Sequence, residues 1–251
     1  MAAHLATLEH ATSARPAFVP AAAPARRSVR PAGGTVVAFP DPRNADTLEA
    51  IADTVVAERE TMLFSEGDTA GDLYRVVDGM VRIYKLLPDG RRQIVGFLQA
   101  GDMMGLTLGA AYLYTAETVT TCSLQRIPRN RFDALMDAQP ALARSLHART
   151  ATELVAAQDH MLLLGRKTAV EKVASFLLLL AARSRTASSQ GGKRVRLPMN
   201  RNDIADYLGL TTETVSRAFT KLKTGGLIRL LEGGIVEILD RDGLAGTTEG
   251  A

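Results

Sequence analysis

The stretch Leu197-Pro198-Met199-Asn200-Arg201-Asn202-Asp203-Ile204-Ala205-Asp206-Tyr207-Leu208-Gly209-Leu210-Thr211, continued by Thr212-Glu213-Thr214-Val215-Ser216-Arg217, reads as two short helices joined by a tight turn. Asn200 is placed to cap the first helix, and Asp203 at the third helical position completes a capping-box exchange. Ala205 is small where the second helix crosses close. Gly209 supplies the left-handed conformation that ends a helix without a Cβ penalty. Thr211 caps the second helix, over 211–224, and Glu213 suits the positive end of its dipole. Val215, Ala218 and Leu222 form its buried stripe, while Thr212, Glu213, Ser216, Arg217, Thr220 and Lys221 lie opposite.

Glu213, Ser216 and Arg217 stand at i, i+3 and i+4, so they share one exposed face near the helix N-terminus. That is the end from which a recognition helix reaches base edges in the major groove. Arginine bonds guanine O6 and N7 bidentately, and glutamate accepts from cytosine N4. Arg201, Thr211, Thr212, Thr220, Lys221 and Lys223 are placed for phosphates, which add affinity without sequence information. Further basic residues gather at Lys193, Arg194, Arg196 and Arg229. The bland alternative is a helix pair with an ordinary charged face. Cap, small residue, turn glycine and buried stripe all coincide, which weighs against it. Two apolar runs, 227–231 and 235–239, flank Gly233-Gly234 and read as a hairpin, so the unit is a winged helix-turn-helix over 166–241.

Working outward, residues 1–42 are rich in Ala, Pro and Arg without periodicity and read as a disordered N-terminal extension. Its arginines (Arg15, Arg26, Arg27, Arg30) read as solvated, with DNA contact as the alternative. A short amphipathic pattern at 46–57 (Leu48, Ile51, Ala52, Val55) points to a helix. Between Arg59 and Pro128, β-forming runs at 73–77, 81–86, 93–98 and 118–126 alternate with turn signals such as Asp78-Gly79, Pro88-Asp89-Gly90 and Gly101-Asp102. Such spacing marks a barrel or sandwich, assigned to 43–138. In the run 81–86, Val81 and Ile83 alternate with Arg82, Tyr84 and Lys85, as a strand with one buried face would.

A short helix at 131–137 precedes a long one over 139–165, with Pro140 in its first turn. Leu146, Thr150, Leu154, Ala157, Met161 and Leu164 recur at steps of three or four and form a candidate dimer seam; packing on the chain's own barrel is the alternative. A helix at 168–183 and a Ser/Gly-rich loop at 184–192 follow, and residues 242–251 read as a flexible tail. The fold class is therefore α+β.

Composition bounds the rest. The 251 residues are 46% hydrophobic and 23% charged, which fits a globular chain and not a disordered one. The net charge of +3 does not by itself argue for nucleic acid. One cysteine, Cys122, excludes an internal disulfide, and the four scattered histidines have no metal-ligand spacing. The longest apolar stretch, 173–182, is too short to span a bilayer, and the N-terminus lacks a secretory core, so no membrane partner and a cytoplasmic location are expected. No nucleophile–base signature or phosphate loop points to an enzyme.

The order of β-roll, long helix and winged helix-turn-helix resembles the Crp/Fnr family over about 46–240. In the roll the resemblance rests on Phe64-Ser65-Glu66-Gly67-Asp68, Leu73-Tyr74-Arg75-Val76-Val77-Asp78-Gly79-Met80-Val81, Gly90-Arg91-Arg92 and Gly101-Asp102-Met103-Met104-Gly105. In the DNA-binding part it rests on the opening stretch, whose Glu-x-x-Ser-Arg at 213–217 is similar to the Fnr/FixK branch. The resemblance implies an N-terminal cyclic-nucleotide-binding-type β-roll and a homodimer joined by the long dimerisation helix. It implies binding to TTGAT-N4-ATCAA-like palindromes, with Glu213 and Arg217 on the G·C pair and Ser216 at the neighbouring thymine. It further implies an activator of microaerobic or anaerobic respiration or nitrogen-metabolism genes. RNA polymerase would then be met partly at the hairpin Leu87, Pro88, Asp89, Gly90 and Arg91.

Effectors are narrowed by what the roll lacks. Cyclic-AMP-binding relatives follow Gly-Asp-x-x with Gly-Glu and later place an Arg-Ser pair on the phosphate. Here Leu106 follows Gly105, and the later region is Tyr112-Leu113-Tyr114-Thr115-Ala116, so cAMP is not expected. The N-terminal cysteines of an iron–sulfur Fnr are missing, and the position of the ligand within the roll falls near Gln125. Haem stays open, although the roll has no histidine and His4 and His10 lie in the extension. Cys122 sits in an alternating run and reads as packing, with a redox switch as the alternative. A cofactor-free regulator is the expectation. The alternative is a small-molecule- or haem-responsive sensor of the same family.

Overall fold

A computed structural model describes residues 47–107, 109–183 and 194–248. The N-terminal extension at 1–42 and the expected loop at 184–192 lie outside the described residues. Eight strands build the first half: β1 Asp53–Ala57, β2 Met62–Phe64, β3 Asp72–Asp78, β4 Met80–Leu86, β5 Arg92–Gln99, β6 Met103–Met104, β7 Thr115–Thr118 and β8 Cys122–Pro128. They pair antiparallel into two four-stranded sheets, ordered β1-β8-β3-β6 and β2-β7-β4-β5. Between the sheets pack Val76, Val81, Leu98, Met104, Ala116 and Leu124, all buried. Burying alternate side chains of both sheets drives this arrangement.

The structure corrects three expectations in this half. Only 47–49 of the segment read as a helix at 46–57 is helical; β1 takes Asp53–Ala57. Thr54, Val55 and Val56 are β-branched, and their pairing with β8 outweighs the short amphipathic pattern. The run at 118–126 is two strands, since Val119 and Thr120 turn the chain by donating their N–H groups to Met80 O. Gly79 faces that turn with φ near +93°, where a Cβ would fall 2.7 Å from Cys122 Sγ. Finally, β4 is buried on both faces: Arg82 and Tyr84 are as buried as Val81 and Ile83.

The reason lies outside the roll. Helix α1 (Arg129–Ala138) leads into α2 (Pro140–Arg166), 27 residues long and about 40 Å at 1.5 Å per residue. Helix α3 (Ala169–Arg183) is buried along most of its length by Val173, Ala174, Phe176, Leu177 and Leu180. Around it gather α4 (Arg201–Leu208), α5 (Thr212–Thr224) and the sheet β10-β11-β9, made of Ile228–Leu231, Ile235–Ile238 and Arg194–Arg196. This core is continuous with Met80, Tyr84, Ile94 and Phe97 of the roll. The outer face of β4–β5 therefore packs on the DNA-binding half.

The expected flexible tail is corrected too. Residues Arg241–Thr248 form helix α6, and its Leu244 is fully buried in the same core. The apolar spacing Leu244 and Ala245 was too short to register as a helix by periodicity, and packing supplies what propensity lacks.

Candidate nucleic-acid interface

Helix α4 begins with the full capping box. Asn200 Oδ1 accepts from Asp203 N at 2.8 Å, and Asp203 Oδ2 accepts from Asn200 N at 3.4 Å. It ends at Gly209, with φ 60° and ψ 45°, the left-handed conformation the turn demands. Lys172 adds an anchor that periodicity alone does not reveal: its buried Nζ donates to Leu208 O at 3.1 Å. It thereby meets one of the free carbonyls at the helix end. Thr211 caps α5 by accepting from Thr214 N. Val215, Ala218, Phe219 and Leu222 bury one side of α5; Phe219 joins the stripe read from the sequence.

On the opposite side, Glu213, Ser216 and Arg217 come together near the helix N-terminus, in a surface groove with Thr220, Lys221 and Thr224. Arg217 Nη2 lies 2.6 Å from Glu213 Oε1, and both side chains are more than 70% exposed. An exposed pair of this kind contributes little to stability. It holds the two side chains side by side, one a donor fork and the other an acceptor. Ser216 and Thr220 donate to the carbonyls of Thr212 and Ser216, and Thr212 donates to Asn202 Oδ1, so these hydroxyls keep their oxygens as acceptors. Lys221 and Lys223 are exposed in the last turns, where they also complement the dipole.

Arg201 departs from the expectation of a free phosphate-facing side chain. Its guanidinium lies 3.5 Å over the Phe219 ring, and burial pulls its pKa down. Its Nη1 is buried without a partner among the described residues. In the wing, Arg194 and Arg229 both pair with Glu237, at 3.2 and 3.0 Å, so part of the local basic charge is answered within the chain.

The remaining candidates fall elsewhere. Cys122 is buried in the roll core, donates to the carbonyls of Met80 and Thr120, and has its pKa raised by burial. The hairpin 87–91 is exposed, closed by Leu87 N to Arg91 O at 2.8 Å, with Asp89 accepting from Arg91 N and Nε. The seam along α2 divides. Leu146 packs beside the core formed by Leu48, Ile127, Phe132 and Leu142, and Leu164 sits close to Gly209. Thr150, Leu154, Ala157 and Met161 are exposed. Val155 and Leu162, missed by the seam as read, are 50% and 63% exposed.

The Crp-like helix-turn-helix domain family matches residues 171–247, and the cyclic nucleotide-binding domain family matches 54–139. The nitrogen fixation regulation protein FixK of Bradyrhizobium diazoefficiens is 48% identical over 177 residues, covering 69% of this chain and 73% of that protein. This chain belongs to the Crp/Fnr family, in its FixK-like branch.

Within the Crp/Fnr family, the transcriptional activatory protein AadR of Rhodopseudomonas palustris is 44% identical over 203 residues, covering 79% of this chain and 82% of that protein. The solved structure of FixK2 from Bradyrhizobium japonicum superimposes with a TM-score of 0.74 at 40% identity, over 80% of this chain and 99% of that one. This Crp/Fnr chain is accordingly a helix-turn-helix transcription regulator. Among the described residues no helix is long and apolar enough to cross a membrane.

Proposed function

We propose that the chain is a transcription activator that binds, as a homodimer, TTGAT-N4-ATCAA-like palindromes and controls genes of microaerobic or anaerobic respiration or nitrogen metabolism. The exposed Glu213–Arg217 pair, with Ser216 beside it at the N-terminal end of α5, carries the reading. Arg217 bonds the guanine of the half-site, Glu213 accepts from its cytosine, and Ser216 sits at the neighbouring thymine. Lys221, Lys223, Thr211, Thr212 and Thr220 meet phosphates around them.

The homodimer is supported by α2. Leu154, Val155, Met161 and Leu162 are exposed, and the pairs 154/161 and 155/162 repeat at a heptad spacing. The seam turns slightly from the one read in sequence, because Leu146 and Leu164 are taken up by the chain's own packing. The exposed hairpin 87–91 supports contact with RNA polymerase, in the cytoplasm where transcription takes place. A regulator, not an enzyme, is the reading.

No cyclic nucleotide enters this mechanism, because the residues of the roll do not fit one. Tyr112 stacks on Phe64 at 3.8 Å between ring centroids, and Tyr114 Oη accepts from Gly105 N. Arg129 donates to the carbonyls of Ala70, Thr107 and Gly105 and so is not free for a phosphate. The buried, high-pKa thiol of Cys122 counts against a redox switch, since the thiolate is the reactive form.

The test is binding to a full palindrome against a single half-site of the same length. A dimer binds the palindrome at least a hundredfold more tightly. Equal affinity for the two would overturn the dimeric reading.

A further inference from the structure

The DNA-binding half follows the long helix through a short joint. Helix α2 ends at Arg166 and α3 begins at Ala169, and Lys167 between them is extended, with φ −87° and ψ 145°. Apolar packing of Tyr84, Ile94 and Phe97 with Phe176 and Tyr207 draws the two halves together. Such packing is non-directional and leaves the halves free to rock on each other. Hydrogen-bonded charges fix an angle, and here they stand on β4, β5 and α4.

Each side of this contact is braced by its own neighbours. On the roll, Glu117 holds Arg82, and the Arg92 guanidinium lies over the Tyr84 ring at 5.4 Å. On α4, Asp203 belongs to the capping box and Asp206 follows three residues on, so both carboxylates share a face. Arg82 Nη1 donates to both oxygens of Asp203. Arg92 donates from Nη2 to Asp203 and from Nε to Asp206, a fork across one helical turn. Gln93 Nε2 adds a bond to Tyr207 O at 3.4 Å, in the last turn of α4. The recognition helix α5 follows α4, because Thr212 Oγ1 donates to Asn202 Oδ1, beside Asp203, at 2.7 Å. Glu213 and Arg217 stay more than 70% exposed, so the cluster does not cover the base-reading face. It bears on where the recognition helix stands, not on whether it is accessible.

A palindrome makes that placement matter. About ten base pairs make a turn of about 34–36 Å, so one added base pair shifts the second half-site by about 3.4 Å and about 35°. A dimer whose helix-turn-helix units rock at their joints follows such a shift; one whose units are fixed does not. A buried ion cluster is a weak source of net stability, and fixing a register is its best-attested use.

We propose that Arg82 and Arg92, acting through Asp203 and Asp206, determine which spacer length between half-sites the dimer accepts. The proposal rests on the reading of a homodimer on a palindrome. The cluster locks each recognition helix at one angle to α2, and so holds the two helices of the dimer at one separation. Without it the base-reading trio is intact and the separation is loose.

The test is competition binding of the full chain to duplexes of one length, with TTGAT and ATCAA half-sites three, four, five or six base pairs apart. A duplex with a single half-site is the reference. The wild type should prefer one spacer over its neighbours by about tenfold or more. Arg92→Met, which removes the fork, should cut that ratio about fivefold, and the milder Asp206→Asn about threefold. Affinity for the single half-site should stay within about twofold in both. Wild-type ratios in both variants overturn the proposal, as they do in Asp206→Asn alone if Arg92→Met does not fold. An equal loss on every duplex, the mark of a merely destabilised chain, overturns it too. A wild type indifferent to spacing overturns the palindrome reading with it. A sharp preference for another length, lost in the variants, supports the cluster's role and corrects only the four-base-pair spacer.

Discussion

Arg82 on strand β4 and Asp203 on helix α4 stand 121 residues apart in the chain and meet at 3.2 Å, both buried. Glu117 holds the same guanidinium at 2.8 Å, and Arg92 reaches both Asp203 at 2.6 Å and Asp206 at 2.8 Å. Asp203 also completes the capping box of α4. One carboxylate therefore starts the first helix of the DNA-binding motif and fastens it to the roll.

Breaking this cluster from one side leaves buried charge without its partner. Arg82→Met is expected to lower stability by about 2–4 kcal/mol in urea unfolding. A double-mutant cycle with Asp203→Asn should show a coupling of about 1–3 kcal/mol. Additive effects would mean that the two groups do not act together.

Arg217→Ala should lose discrimination at the half-site guanine, at about 1–3 kcal/mol, in competition binding with base-substituted sites. The folded state should hardly change, because the pair with Glu213 is exposed.

Lys223→Ala behaves differently if it meets phosphate. It should weaken binding to every sequence alike and reduce the slope of log affinity against log salt by about one. A change confined to one base position would contradict that role.

Glu153 sets a pH dependence. Its folded pKa is about 8, above the unfolded value near 4.5, so the folded state holds the proton more tightly. Its contribution to stability is fully present below the unfolded value and falls away as pH rises from about 4.5 to 8. Arg183, Asp102 and the nearby His160 face the same site. Glu153→Leu should flatten the decline in chemical denaturation between pH 5 and 8; an unchanged profile would place the carboxyl in water.

The helix-turn-helix was legible because its determinants are local: a cap at Asn200, a left-handed Gly209 and a second cap at Thr211 act over a few residues. The exposed trio at 213–217 followed from helical spacing alone. What escaped depends on contacts distant in sequence. Arg82 and Tyr84 read as the wet face of a strand, yet the DNA-binding half covers them. Arg201 read as a free cation, and only the fold brings Phe219 beneath it. Leu244 lacked a periodic neighbourhood and is buried by packing under α3. Leu146 and Leu164 of the α2 stripe lie against the chain's own residues, because a helical stripe does not say which neighbour takes its edge.

The most direct test of the central claim is selection of binding sites from random double-stranded DNA by the full chain. Recovery of TTGAT and ATCAA half-sites separated by four base pairs is the expected result. A selected motif without those half-sites, or without two-fold symmetry, would contradict the reading of Glu213, Ser216 and Arg217.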